Sequence, residues 1–266
     1  MTPEHVATDA GTTLEHRHVL GMRVDATSYA DAAARVIDWS SMHEGRYVCV
    51  ANVHMTMEAW DDPAFARIVN GADLVTPDGV PLVWALRRLG VAGAERVYGP
   101  TLTLHVCERA EALGVPIGLY GGRPEGIERF VGFLQARYPR LRVVHAVSPP
   151  YRPLSDEEDA HAIDAIVASG ARVLFVGLGC PKQERWMHAH RDRLPLVQLG
   201  VGAAFDFHAG LVRQAPSAVQ RLGLEWAFRL AMEPRRLASR YLRHNPRFVW
   251  HFARQLRREA KDAQDE

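Results

Sequence analysis

Cysteine is scarce in this chain, and the three present, Cys49, Cys107 and Cys180, lie far apart with no Cys-x-x-Cys pair. That spacing excludes a disulfide framework and a cysteine-built zinc site, and it fits a reducing cytosol. No apolar run reaches 18 residues, so no segment is predicted to cross a bilayer as a helix. The first twenty residues carry Glu4, Asp9 and Glu15 and no apolar core, which argues against a secretory signal. Also missing are an Asp-x-Asp pair, a Gly-x-Gly-x-x-Gly fingerprint and a phosphate loop ending in Lys-Ser/Thr. A diphosphate held through a divalent ion on Asp-x-Asp is therefore not expected. His188 and His190 are two apart on a predicted helix and cannot share a metal as i,i+4 histidines do, and His54 has no evident ligand partner. No metal site assembles from the sequence, and no cofactor is expected.

What is present is ordinary in bulk. At 266 residues, 47% hydrophobic and 24% charged, the chain suits one α/β domain, or one domain with an appendage. The net charge of +1 hides an asymmetry. Residues 213–261 hold twelve Arg/Lys against Glu225, Glu233 and Glu259, a balance of +9, whereas residues 1–212 balance at −5. A mildly acidic body carries a basic tail, which calls for a polyanion or an anionic surface.

Residues 1–15 are polar and expected to be disordered. Beyond them, apolar runs at 46–52, 115–122, 141–147, 171–179 and 196–202 read as buried strands. Helical patterns lie at 28–39, 79–90, 101–113, 124–137, 156–169 and 182–193. The alternation predicts a Rossmann-like α/β fold, a mostly parallel sheet with helices on both faces, over residues 16–215. Ligands in such folds bind beyond the carboxyl ends of the strands. Five motifs follow strands directly: Asn52, "TPDG" (76–79), "YGGRPEG" (120–126), "GLGCPKQE" (177–184) and "GVGAAFDF" (200–207). All five are expected at one rim.

Each motif has a bland reading beside a chemical one. Asp78 opens a helix, so by itself it reads first as a cap, and second as a carboxylate at the cleft rim serving as general base. Asn52 caps a helix or meets a sugar or base. Asp61 and Asp62 precede a proline and read as turn residues. In the "GLGCPKQE" loop, Gly177 and Gly179 allow close backbone approach, and Pro181 suits the first helical turn. The free N–H groups of that turn favour an anion. Cys180 reads as a small loop residue and Glu184 as a match to the helix dipole. The Gln183 amide can both donate and accept beside a ligand. Gly200, Gly202, Phe205 and Asp206 offer a second close approach, with Asp206 either holding a ribose or capping a turn.

From about residue 216 the pattern is wholly helical. Leu222, Trp226 and Leu230 share a face, and Pro234 and Pro246 are predicted to divide the run into three helices. In the last, Phe248, Val249, Phe252 and Leu256 take one side and Arg247, Arg254 and Arg258 another. A basic amphipathic helix of this kind suits a membrane surface. The alternative is a helix packed on the body with a solvated basic face.

In order and spacing, "TPDGVPLVW", "YGGRPEGIERF", "GLGCPKQERW", "GVGAAFDFHAG" and "LEWAFRLAMEPRRLASRYL" resemble the WecG/TagA/CpsF family of glycosyltransferases over roughly residues 17–245. The resemblance implies a Rossmann-like core with a C-terminal helical appendage. It also implies an inverting, metal-independent enzyme, peripheral on the cytoplasmic face of the cell membrane. Such an enzyme moves a hexose-type sugar from a UDP-sugar to a polyprenyl-diphosphate-linked sugar. Residue by residue, Asp78 matches the catalytic base and Asn52 the asparagine near donor and acceptor sugars. Gly121, Gly122, Gly177, Gly179, Pro181, Lys182, Gln183, Glu184, Gly200, Gly202, Phe205 and Asp206 fall in the donor-side segments. Arg229, Arg235, Arg236 and Arg240 match arginines that close over the diphosphates. The expected partners are therefore both sugar substrates and an anionic membrane surface, with no nucleic acid, and a homo-oligomer stays open. The appendage, 216–266, would serve as membrane contact and lid. Three positions depart from the family pattern: Val50 where Thr is usual, "GPTL" (99–102) for Gly-Ser-Asp-Leu, and "RQAP" (213–216), with Gln214, for Lys-Arg-Ala-Pro. Two other classes compete, a dinucleotide-dependent oxidoreductase and a non-catalytic nucleotide-binding module at a membrane surface.

Overall fold

The computed structural model describes residues 14–216, 219 and 225–265, with Arg236, Ala263 and Asp265 described by their backbone alone. The expected disordered tail falls, apart from residues 14 and 15, outside that range, and so does Leu222. The chain opens with an antiparallel hairpin, β1 (His16–Val19) and β2 (Met22–Asp25). There follow α1 (Tyr29–Ser40), β3 (Arg46–Ala51), α2 (Val53–Asp61), α3 (Pro63–Asn70), β4 (Leu74–Pro77), α4 (Val80–Arg88) and α5 (Gly99–Leu113). The second half runs β5 (Ile117–Gly121), α6 (Pro124–Arg137), β6 (Val143–Val147), α7 (Asp156–Ala168), β7 (Val173–Gly177), α8 (Lys182–Ala189), β8 (Val197–Gly200) and α9 (Ala204–His208). Two helices close the described chain, α10 (Glu225–Met232) and α11 (Pro234–Asp265).

The main sheet has six strands in the order β4-β3-β8-β7-β5-β6, every pair parallel. The fold is the predicted Rossmann-like α/β architecture. A strand's side chains alternate between its two faces, and here the alternation sorts two cores. On β3, Tyr47, Cys49 and Ala51 face one core with the hairpin, α2, α3 and α4. Val48 and Val50 face the other, with α1, α5 and α6. Both cores are built of buried apolar side chains, which is why the central strands read as unbroken apolar runs, whereas β6, expected to be buried, is an edge strand with no buried residue.

Helix ends are fixed locally. Ser28 caps α1, Asp62 caps α3 ahead of Pro63, and Ser155 with Glu158 forms a capping box on α7. The aspartates expected in a turn thus do more than turn: Asp62 caps, and Asp61 pairs with Arg247 of α11, Nη1 to Oδ2 at 2.9 Å.

The C-terminal run differs from the expected three pieces. Pro234 does separate α10 from α11, but Pro246 lies inside one helix of 32 residues. An interior proline removes one hydrogen bond and costs about 3 kcal/mol. Buried anchors on both sides of it offset that cost: Leu237 and His244 before, Phe248 and Phe252 after. Fully burying a phenylalanine contributes about 1.5–3 kcal/mol. Phe248 and Phe252, 2% and 1% exposed, join the core shared with α2, and Leu256 packs against it. That face is therefore spent on the body and is not free to meet a bilayer. Val249 lies about 100° further round the helix and is 63% exposed, next to Trp250 at 62%. Gln255 ties the far end to the hairpin, accepting from Leu20 N at 2.8 Å and donating to His18 O at 2.7 Å. Among the described residues no helix is long and apolar enough to cross a membrane.

Candidate active site

A cavity of about 340 Å³ opens beyond the carboxyl ends of β3 and β4. Asn52 follows β3 and Asp78 follows β4, and both line it. The strand ends are stitched together, since Asp78 N and Gly79 N both donate to Ala51 O, at 2.9 and 3.3 Å. Arg96 and Tyr98 reach in from the loop before α5, Glu225, Trp226 and Arg229 from α10, and Leu237, Arg240, Tyr241 and His244 from α11. The cavity is thus built by body and appendage together.

Asp78 does not cap α4. Gly79 occupies the cap position, with no side-chain cap bond. The carboxylate instead meets Arg96, whose Nη2 donates to Asp78 Oδ1 at 3.3 Å and whose Nε donates to the Asp78 backbone oxygen. The same Nη2 donates to Glu225 Oε2 at 2.8 Å. One guanidinium therefore serves two carboxylates. Burial raises the Asp78 carboxyl, Arg96 and then Arg229 pull it down, and Glu225 pushes it up, leaving it at about 6. Burial wins because the nearest cation is shared. A carboxylate tuned this way is ionised at neutral pH yet basic enough to accept a proton.

Asn52 realises both of its readings. Its Oδ1 caps α2, accepting from Met55 N at 3.2 Å, while the residue lines the cavity. Among the described residues its amide nitrogen has no hydrogen-bond partner. Arg229 is packed over the Phe207 ring at 5.2 Å and has a buried Nε with no hydrogen-bond partner among the described residues. Arg240 lines the cavity as well. Arg235 is exposed and off the cavity wall, and the Arg236 side chain lies outside the described set.

The glycine loops sit at the same rim, after β5, β7 and β8, but do not line this cavity. They form a cluster of their own. Gly121 and Gly122 have φ of +117° and +69°, and a Cβ on Gly121 would stand 2.6 Å from the Gly177 carbonyl carbon. Gly122 N donates to Gly177 O at 2.9 Å. Phe205 is core, stacked on Phe130 beneath Gly122 and Gly177. Gln183 is buried, and its Oε1 accepts from Gly179 N and Gly202 N, both at 3.1 Å, so it ties the β7 loop to the β8 loop. Its Nε2 donates to Glu184 Oε1 at 2.7 Å. Glu184 is wholly buried, and burial raises its carboxyl to about 7. It is a buried partner of Gln183 more than a dipole match. Pro181 precedes α8 as its cap instead of opening the first turn. Lys182 lies 5.2 Å from the Tyr151 ring. Asp206 stands 3.5 Å from Arg123 and has one buried oxygen, Oδ1, with no hydrogen-bond partner among the described residues. Gly200, Gly202 and Gly179 thus bracket one amide, and Asp206 keeps an acceptor in reserve.

Sequence reasoning missed Arg96, Tyr98 and Glu225. Glu225 stood within the quoted "LEWAFRL" segment, so only its role was hidden. Arg96 packs over Tyr98 at 4.5 Å, and Glu225 lies close to the Tyr98 hydroxyl. One expectation needs correcting. His54 has ligand-type neighbours after all, because Glu58 and His244 place their polar atoms within 4.8 Å of it and of each other.

The signature of the glycosyl transferase WecG/TagA/CpsF family matches residues 17–262, which spans the sheet, the cavity and both closing helices. With Asp78 at the end of β4, the arginines of α10 and α11 and the glycine loops in one continuous match, this chain belongs to the WecG/TagA/CpsF family of glycosyltransferases.

Proposed function

We propose that the protein transfers a hexose-type sugar, N-acetylmannosamine, its uronate or glucose, from a UDP-sugar to a polyprenyl-diphosphate-linked sugar, with inversion, in cell-surface polysaccharide synthesis. The observation that carries this reading is Asp78, a carboxyl near pH 6 on the wall of a cavity that also holds arginines. In the proposed step an acceptor hydroxyl attacks the anomeric carbon of the donor. Its proton passes to the Asp78 carboxylate, the bond from the anomeric carbon to the diphosphate oxygen breaks, and the electron pair leaves with UDP. A single displacement inverts the centre. Arg229 and Arg240 take the charge that builds on the diphosphate. The cluster of Gly121, Gly122, Gly177, Gly179, Gly200 and Gly202, with Lys182 and Asp206, holds the uridine side of the donor.

An apolar rim supports a lipid acceptor. Val80, Trp84, Trp226 and Val249 line the cavity and are all exposed. Exposed apolar groups gathered at a cavity mark a binding surface, and arginines beside them fit an anionic leaflet. The enzyme then works at the cytoplasmic face of the membrane without spanning it. Assay of a panel of UDP-sugars against a soluble lipid-diphosphate-GlcNAc analogue tests the proposal. One donor turned over with release of UDP supports it; no transfer from any UDP-sugar, or hydride transfer to a nicotinamide nucleotide instead, overturns it.

A further inference from the structure

His54 and Glu58 stand one turn apart on α2, and His244 faces them from α11. We propose that these three side chains bind a divalent transition metal of the zinc class, clasping the C-terminal helix to the body at the edge of the cavity. Their distances suit shared coordination better than hydrogen bonding. His54 Nδ1 lies 3.7 Å and His244 Nε2 3.9 Å from the same Glu58 oxygen, Oε1. Both separations are too long for a hydrogen bond. They approach the roughly 3.3 Å that separates ligand atoms in a tetrahedral site with bonds of about 2.0 Å, and Glu58 is partly exposed and able to turn.

The surroundings are those of a ligand set. His54 Nδ1 is buried with no hydrogen-bond partner among the described residues. The Cys180 backbone lies beside the same ring. Two imidazoles and one carboxylate form the donor set of zinc, cobalt or nickel, whereas calcium and magnesium call for oxygen ligands. Arg243 and Arg247 lie near His244 and work against a cation, so the nitrogen ligands must supply the affinity. The three protein ligands leave a fourth position, and His54 and His244 both line the cavity. The clasp is separate from the glycosyl transfer, and no step of that reaction is assigned to it.

Cobalt(II) is the probe. The metal-free full-length protein is titrated with Co²⁺ and followed by its visible d–d absorption, then challenged with Zn²⁺. The expected result is one Co²⁺ per chain with the intensity of a four-coordinate site, displaced by Zn²⁺. Glu58→Gln and His54→Gln should each weaken binding about tenfold or more. Zn²⁺ should raise the thermal midpoint of the wild type and not of the variants. Amide exchange around residues 244–252 should slow with Zn²⁺, and this reading on the wild type decides the matter if neither variant folds. No saturable binding, or binding undiminished in both folded variants, overturns the proposal, because the chain has other histidines able to hold a metal weakly.

Discussion

Arg96 divides one guanidinium between Asp78 and Glu225, and that division sets how the proposed base titrates. Transfer that depends on ionised Asp78 should rise about tenfold per pH unit below about 6 and level off above it. Glu225→Gln removes the charge that pushes Asp78 up and frees Arg96 to serve it alone, so the limb should move to lower pH. A pH–rate profile of kcat/KM checks both, and an unmoved limb in Glu225→Gln would show that Glu225 does not act through Asp78. Stability should follow the same group. Its folded pKa is raised above the ordinary 3.8, so its ionisation destabilises the fold as pH rises from about 4 to about 6. Asp78→Asn should therefore raise the thermal midpoint at pH 8 and lose that gain towards pH 4. Scanning calorimetry across that range reads the difference. Gln183 belongs to this scale too. Gln183→Ala leaves two loop N–H groups without their acceptor and should cost about 1–3 kcal/mol for each that stays dry, read as a lower urea midpoint. The sequence made Asp78 and Asn52 visible because each directly follows a strand. It hid Arg96, because its partner Glu225 is 129 residues away and nothing local announces the pairing.

At the scale of the element, the legible parts were those with a strong local period. The buried strands at 46–51, 117–121, 173–177 and 197–200 and the half-exposed edge strand at 143–147 showed as apolar runs, and all six central strands proved parallel. The hairpin β1–β2 did not show, because strands of four residues with arginines and histidines carry too little pattern. Helix α2 was hidden between a strand and an Asp-Asp-Pro that looked like a turn, and α3 begins at that same proline. Pro246 misled for a physical reason: a rule about local backbone cost was outweighed by anchors on both sides of it. This makes a prediction for the element. Phe252→Ala should cost about 3–5 kcal/mol, and limited proteolysis should then cut within α11 before it cuts the sheet. Cleavage unchanged from the wild type would mean that the helix is held chiefly by Arg247, Gln255 and its upstream residues.

At the scale of the whole molecule, a body of balance −5 and a segment of balance +9 meet around one cavity. The charge asymmetry was legible from composition, but the direction of the apolar face was not. Phe248 and Phe252 turn inward, so in the proposed membrane reading contact with a leaflet would fall to Trp250, Val249 and Leu242, which are exposed, with the exposed Arg254 and Arg258 on the same helix. Arg254→Glu together with Arg258→Glu should weaken sedimentation with anionic liposomes, and rising salt should do the same to the wild type. Binding indifferent to both would remove the membrane reading. The central claim, a transferase whose base is Asp78, is tested most directly by one comparison on the soluble acceptor. Turnover and UDP affinity are measured side by side for the wild type and Asp78→Asn, which keeps the size of the side chain but cannot accept the proton. The account predicts turnover lower by about 10²–10⁴-fold with UDP affinity close to that of the wild type; turnover within about threefold of the wild type, against that 10²–10⁴-fold expectation, would contradict it.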